Sequence, residues 1–201
     1  MTERAILERI VDSHDRTVGG GSAAALAGGM AAGLAGLVAR LSESGEFGLD
    51  SERCRVLADE ADELAARLQH GAVADADAYR AVVEAYRLPH DDPESQRARE
   101  AAVQRAMVGA ATAPRDNARA ARRVWDVCVE LEGASNPNAS SDLAVALLLS
   151  EAAVIGCVYN VEINLPLIKD VEAAAELRRE AAAVRGALPD RARPSSMEEE
   201  L

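Results

Sequence analysis

Residues 23–39 run for seventeen positions without a charge, and most of them are alanine or glycine. A helix that is apolar all round in a soluble protein is one that other elements surround. Small side chains on every face let those neighbours approach closely. A membrane span is the weaker reading. The stretch falls short of the ~20 residues a span needs, it is flanked by Ser22 and Arg40, and alanine and glycine gain little on transfer to lipid. Gly29 and Gly33 form a GxxxG pair, a spacing that serves close helix packing. The chain is expected to fold around this helix, as the centre of a bundle or of a dimer interface.

Directly before it stand Gly19, Gly20, Gly21 and Ser22. Consecutive glycines lose more backbone entropy on folding than other residues, so a folded domain keeps them for a reason. The usual one is that backbone N–H groups come close to something. Ser22 is a good N-cap type, and the positive end of the following helix faces the glycines. Such an end receives a carboxylate, a phosphate or a polar ring edge. A tight turn feeding a crowded helix accounts for the same residues equally well.

The remainder also reads as helix. Aromatics make up 2% of the chain, β-branched runs are scarce, and Ala, Leu, Glu and Arg dominate. A short amphipathic helix is predicted over residues 3–11, followed by a loop over 12–18. The apolar helix ends near Ser42, and residues 43–48 form a connector. Ser51 caps a third helix that runs through residues 85–87, interrupted or kinked at Gly71. Asp92-Pro93 starts the next helix, with proline at its first position, and Pro114 kinks or divides it. After a loop over residues 133–139, Ser140 or Ser141 caps an apolar helix over 143–161. Pro166 marks a break, and a charged helix covers residues 168–185. The expected architecture is all-α: one helical-bundle domain over residues 1–186, then a flexible acidic tail over 187–201.

A length of 201 residues suits one well-buried domain. A net charge of −12 and a pI of about 4.7 argue against nucleic acid, where phosphate neutralisation dominates attraction. They disfavour an anionic membrane for the same reason, while a small anionic ligand responds to local potential. Cys54, Cys128 and Cys157 fit neither a disulfide framework nor a CxxC pair, and His14, His70 and His90 are dispersed. No metal site is expected from that distribution. The N-terminus enters an amphipathic segment rather than a signal-peptide core, which suits a reduced, cytoplasmic chain.

Four polar groups stand where periodicity calls for apolar residues. The first is the glycine run with Ser22. The second is Asp75, with Asp77 two positions on. Asp75 lies one turn before Tyr79 on the same helix face, and a half-buried carboxylate beside an aromatic has the raised proton affinity of a general base. Asp77 reads as solvated. The third is Asn136, Asn138, Ser141 and Asp142, where a polar loop meets a helix start. The fourth is Asn160 with Asn164, four apart in an apolar segment that disfavours asparagine. A shared ligand and a helix–helix hydrogen-bond pair explain them equally well.

The order of these blocks carries a resemblance. Gly19-Gly20-Gly21-Ser22-Ala23-Ala24, Asp75-Ala76-Asp77-Ala78-Tyr79 running to Leu88-Pro89, Ser141-Asp142-Leu143, and Asn160-Val161-Glu162-Ile163-Asn164-Leu165 resemble the cyclodeaminase/cyclohydrolase family. Its members are formimidoyltetrahydrofolate cyclodeaminases and methenyltetrahydrofolate cyclohydrolases. The likeness spans about residues 6–170, and the first and last blocks together are its most specific part. It implies an all-helical homodimer that binds folate near the glycines and uses a carboxylate as acid and base. Two positions depart from the family's habit: Val18 replaces a proline, and His90 replaces a lysine that Arg87 or Arg97 would have to supply.

On that resemblance Asp75 is the catalytic residue, with Asp142 in reserve. Gly19, Gly20, Gly21, Ser22, Asp142, Asn160 and Asn164 are substrate-binding candidates. A tetrahydrofolate derivative is the substrate, with no prosthetic group or metal and no nucleic-acid or membrane partner. Hydrolysis of methenyltetrahydrofolate to 10-formyltetrahydrofolate is the preferred expectation, because no formiminotransferase segment precedes these residues. Ammonia-releasing cyclodeamination is the alternative, and a non-catalytic folate-binding or scaffold dimer is a third.

Overall fold

The computed structural model of the chain describes residues 3–15 and 17–188. Among these residues there is no strand. The helices are α1 (Glu3–Ile10), α2 (Gly20–Leu41), α3 (Ser51–Tyr86), α4 (Pro93–Leu131), α5 (Ser140–Glu162) and α6 (Val171–Gly186), with short 3₁₀ turns at Pro137–Ala139 and Leu165–Leu167. The architecture is all-α, and α2 is its central helix.

Helices α2 to α5 form an up-down-up-down bundle. Ser22 meets Ala72 and Gly36 meets Ala61, so α2 and α3 run antiparallel. Gly71 faces Asn117 while Arg53 reaches Glu130, which sets α4 antiparallel to α3. All four helices meet at Gly28. A Cβ there would lie 3.1 Å from Leu68 Cδ1, 3.2 Å from Ala153 Cβ and 3.4 Å from Ala121 Cβ. The alanine and glycine content of residues 23–39 thus serves close approach on several sides, with Ala31, Ala32, Ala35, Val38 and Ala39 fully buried. By length and composition, α2 and the segment Pro137–Leu167 could also cross a membrane. Here α2 packs against α1, α3, α4 and α5.

Several local expectations change. Ser22 is inside α2 rather than its cap: Gly19 holds the cap position, and the Ser22 hydroxyl turns inward to α3. Asp50, not Ser51, caps α3 by accepting from the Arg53 N–H at 2.7 Å. Ala139 precedes α5 with no side-chain cap, so neither Ser140 nor Ser141 has that role, and Asn136 instead caps the preceding 3₁₀ turn. The last helix begins at Val171, because Asp170 accepts from the Glu172 and Ala173 N–H groups. Asp92 and Pro93 start α4 as predicted, with a reciprocal bond to Ser95. Pro114 does not divide α4, and Gly71 does not interrupt α3. Leu188 still packs on the core, and the acidic tail from residue 189 onward lies outside the described residues.

Gly71 is there for proximity. A Cβ would fall 1.9 Å from Asn117 Oδ1, and the Asn117 amide donates to the Gly71 carbonyl at 3.1 Å. Gly71→Ala therefore expels a buried amide. The better helix former returns about 1 kcal/mol, against about 1–3 kcal/mol each for overpacking and for a lost buried hydrogen bond. A net loss of about 1–5 kcal/mol is expected, read as a lower midpoint in a thermal melt. Gly109→Ala, where a Cβ meets nothing within 4 Å, is the control and raises the midpoint.

Small apolar side chains of α1 and the glycine turn complete the packing at one end. Ile6 is fully buried with Val18, Ala25, Ala72 and Ala76, and this cluster supports the start of α2 from below. A second cluster joins α4, α5 and α6 through Met107, Cys157, Val161 and Leu177. The space between these two clusters is where the polar groups gather.

Candidate functional site

A cavity of about 360 Å³ opens at that end of the bundle, a volume at the small end of the ~300–1,000 Å³ seen for ligand pockets. The glycine turn with Thr17 and Val18 forms one wall, and Asp75, Tyr79 and Val82 of α3 the next. Met107 and Ala110 of α4 face them, and Asn160, Asn164 and Leu167 close the ring. Asp75, two of the three glycines and both asparagines therefore share one cavity.

Asp75 faces the N-terminus of α2. The Ser22 hydroxyl lies 2.9 Å from Asp75 Oδ2 and 3.0 Å from the Ala72 carbonyl oxygen. Its one hydrogen can serve either. Donated to Asp75 it steadies the carboxylate; donated to Ala72 it leaves the hydroxyl oxygen free to accept from a protonated Asp75. The partner suits both states of an acid that gains and loses a proton. Burial raises the Asp75 pKa above its ordinary value, opposed by hydrogen bonds from the Ser22 hydroxyl and backbone N–H. The start of α2 also leaves N–H groups without helical acceptors, an environment that favours negative charge.

The glycines differ from one another. A Cβ on Gly21 would lie 2.4 Å from Asp75 Oδ1 and 2.7 Å from Oδ2. On Gly20 it would lie 3.6 Å from Asn160 Nδ2, an ordinary contact, and on Gly19 it would meet nothing within 4 Å. At Gly21 the close neighbour is Asp75, which gives the missing side chain a second use beside the cradling of a ligand. The group received at this helix end is the chain's own carboxylate.

Asn160 donates through Nδ2 to the Gly156 carbonyl at 2.8 Å. Asn164 donates through Nδ2 to the Asn160 carbonyl at 2.7 Å and to the Ala110 carbonyl at 3.2 Å. Their amide nitrogens are held by backbone, and neither side-chain oxygen has a partner among the described residues. Tyr79 stands half-exposed at the mouth. Cys157 is fully buried nearby, and burial, with Asp75 adding to it, pushes its thiol up to about 12. It stays protonated and is no nucleophile at neutral pH.

Other candidates lie elsewhere. Asp142 is in the first turn of α5, eighteen residues before Asn160 (160 − 142), which is about 27 Å along the helix at ~1.5 Å per residue. It cannot share the cavity within one chain. Asn136 and Asn138 belong to that same far end, where the Asn136 amide donates to the Leu41 carbonyl. Asp77 points outward to Arg80 at 2.7 Å. Arg87, His90 and Arg97 are exposed and do not line the cavity. Among the described residues no three His, Cys, Asp or Glu side chains gather as a metal-ligand set. Sequence reasoning missed the α4 wall, because Met107 and Ala110 carry no signal beyond ordinary core character.

A sequence model described as formiminotransferase-cyclodeaminase matches residues 5–183. The chain belongs to that family. Its likeness to the Methylorubrum extorquens methenyltetrahydrofolate cyclohydrolase is 33% identity over 165 residues, 82% of this chain and 79% of that one. The Sus scrofa formimidoyltransferase-cyclodeaminase is 33% identical over 172 residues, 85% of this chain. The chain spans about a third of that protein's length, 32%. In fold it is similar to the formiminotetrahydrofolate cyclodeaminase of Thermotoga maritima, with a TM-score of 0.76, 24% identity, and coverage of 92% of this chain and 90% of the other. The all-helical frame of this member of the formiminotransferase-cyclodeaminase family is thus one it has in common with that solved structure.

Proposed function

We propose that the cavity binds a reduced folate carrying a one-carbon unit, and that the chain hydrolyses 5,10-methenyltetrahydrofolate to 10-formyltetrahydrofolate with Asp75 as acid and base. One observation carries this: a carboxylate of raised proton affinity lines a cavity rich in fixed hydrogen-bond acceptors, beside a helix start. Similarity to a named cyclohydrolase across most of both chains supports the hydrolytic choice.

The substrate's bridging carbon is cationic, and ionised Asp75 stabilises charge of that sign. Asp75 takes a proton from water as its oxygen bonds to the carbon, giving a neutral carbinolamine. It then returns a proton to N5 as the carbon–N5 bond breaks. The hydroxyl proton leaves as the formyl C=O forms, so one proton is released overall. Asn160 and Asn164 orient the pterin edge or the water. The substrate is the folate itself, and none of these steps calls for a prosthetic group.

Likeness to formimidoyltransferase-cyclodeaminases favours a second reading on the same groups. There a folate nitrogen attacks a formimino carbon, and Asp75 protonates departing ammonia. Loss of the near-ultraviolet band of methenyltetrahydrofolate at catalytic protein concentration tests the first. Ammonia release from formiminotetrahydrofolate tests the second. Stoichiometric binding without turnover of either would overturn both and leave a folate-binding protein.

We also propose a homodimer through the outer faces of α2 and α5. Ala24 packs on Gly156 and Gly28 on Ala153, so the two helices lie side by side and antiparallel. Their outward stripe includes Met30, Leu37 and Leu41 on α2 and Val145 and Leu148 on α5, all exposed. Several large apolar side chains exposed on two adjacent helices suit an interaction site. Light scattering at micromolar concentration is expected to give twice the chain mass, and Met30→Asp with Leu148→Asp to halve it. A monomeric wild type would overturn this.

A further inference from the structure

Pro114 stands inside α4, fully buried, where a proline removes the N–H that the carbonyl four residues earlier would accept. That carbonyl belongs to Ala110, and Ala110 lines the cavity. It is not left without a donor, because Asn164 Nδ2, in the turn that follows α5, bonds to it at 3.2 Å. The same nitrogen bonds to the Asn160 carbonyl at 2.7 Å. An amide has two N–H hydrogens, and both are now committed to backbone. What Asn164 has left for a ligand is its oxygen alone.

We infer that Pro114 is a positioning residue for the cavity: the N–H it lacks leaves the Ala110 carbonyl to hold the Asn164 amide, which fixes the Asn164 oxygen as a hydrogen-bond acceptor for the ligand. An interior proline is costly to a helix, and here the freed carbonyl is put to use at the site. The ring edge that meets Asn164 must then carry N–H donors. The amino-pyrimidine edge of a reduced pterin does, so this inference deepens the proposed folate reading and rests on it for the ligand's identity. Asn160, with one amide hydrogen on Gly156, stands four residues earlier as a second acceptor. Two residues before the proline on the same helix, Thr112 donates to the Val108 carbonyl at 2.8 Å, a side-chain bond of the kind that bends helices.

Pro114→Ala restores a backbone N–H that competes for the Ala110 carbonyl and frees Asn164 to rotate. On methenyltetrahydrofolate, KM is expected to rise about tenfold with kcat within about threefold of wild type, the split of lost uniform binding. In an Asn164→Ala background, Pro114→Ala adds nothing further to KM, since its only route to the ligand is gone. A third measurement needs no ligand. In nitrogen-15 NMR spectra the Asn164 side-chain amide protons exchange slowly in the wild type and at least tenfold faster in Pro114→Ala. An unchanged KM in Pro114→Ala, or an Asn164 amide equally protected in both proteins, overturns the inference. A wild type that turns over no folate would overturn the functional proposal, and the exchange comparison would still decide the role of Pro114.

Discussion

Asp75→Asn is expected to lower kcat on methenyltetrahydrofolate by ~10²–10⁴-fold, the usual contribution of one positioned acid–base group, while KM stays within a few-fold. Asparagine matches the shape of the neutral acid and keeps a contact to the Ser22 hydroxyl, 2.9 Å from the present carboxylate. It can neither accept the water proton nor return one to nitrogen. The wild-type profile of kcat/KM against pH should show an acid limb above the ordinary aspartate value of 3.8, because burial raises the Asp75 pKa and a base acts only when ionised. The variant loses that limb. Its stability should change in the opposite sense. Below pH 3.8 the carboxyl is protonated in both folded and unfolded chains and costs nothing. As pH rises towards the folded pKa, the unfolded chain binds fewer protons than the folded one, so wild-type stability falls, then levels above that pKa. Asparagine escapes this loss. Thermal melts should show the variant gaining on the wild type between acid and neutral pH. A kcat within a few-fold of wild type would remove Asp75 from the chemistry.

Much of this site is visible in the chain's own spacing, and the parts that are not share one cause. Asp75 and Tyr79, or Asn160 and Asn164, can be placed together because helical geometry puts positions four apart on one face. The run over residues 23–39 announces a surrounded helix because seventeen uncharged residues that are mostly alanine and glycine suit close packing better than lipid. Partners from other helices leave no such trace. Ser22 has the right side chain for a cap, but Asp75, 53 residues away, offers it a better partner. Ser140 and Ser141 fail as caps because the 3₁₀ turn at Pro137–Ala139 delivers Ala139 to the cap position. Asp142 matched the resemblance, yet it begins the helix whose far end carries Asn160. Pro114 looked like a break because its vacancy is filled only once Asn164 is opposite Ala110.

Gly21→Ala should cost activity comparable to the lower end of what losing Asp75 costs, with only a modest loss of stability. The new Cβ would lie 2.4 Å from Oδ1, 2.7 Å from Oδ2 and 2.8 Å from Cγ of Asp75. The carboxylate must move by about 1 Å to reach ordinary contact distance, and a displacement of that size in a reacting group costs ~10²-fold in rate. The same movement takes it away from the Ser22 hydroxyl and N–H. Stability is buffered, because alanine is the better helix former by up to about 1 kcal/mol against about 1–3 kcal/mol of overpacking. The neighbouring glycines separate two explanations of the run. If its amides cradled the ligand directly, alanine at 19, 20 or 21 should weaken binding to a similar degree. If the run makes room for Asp75, the effects should be graded by what each Cβ meets: nothing within 4 Å at Gly19, Asn160 Nδ2 at 3.6 Å at Gly20, and the carboxylate itself at Gly21. Measured kcat/KM for the three variants is expected to follow that gradient, within a few-fold of wild type at Gly19 and about a hundredfold down at Gly21. Equal losses at all three positions would return the glycines to the ligand and leave Asp75 without its steric partner.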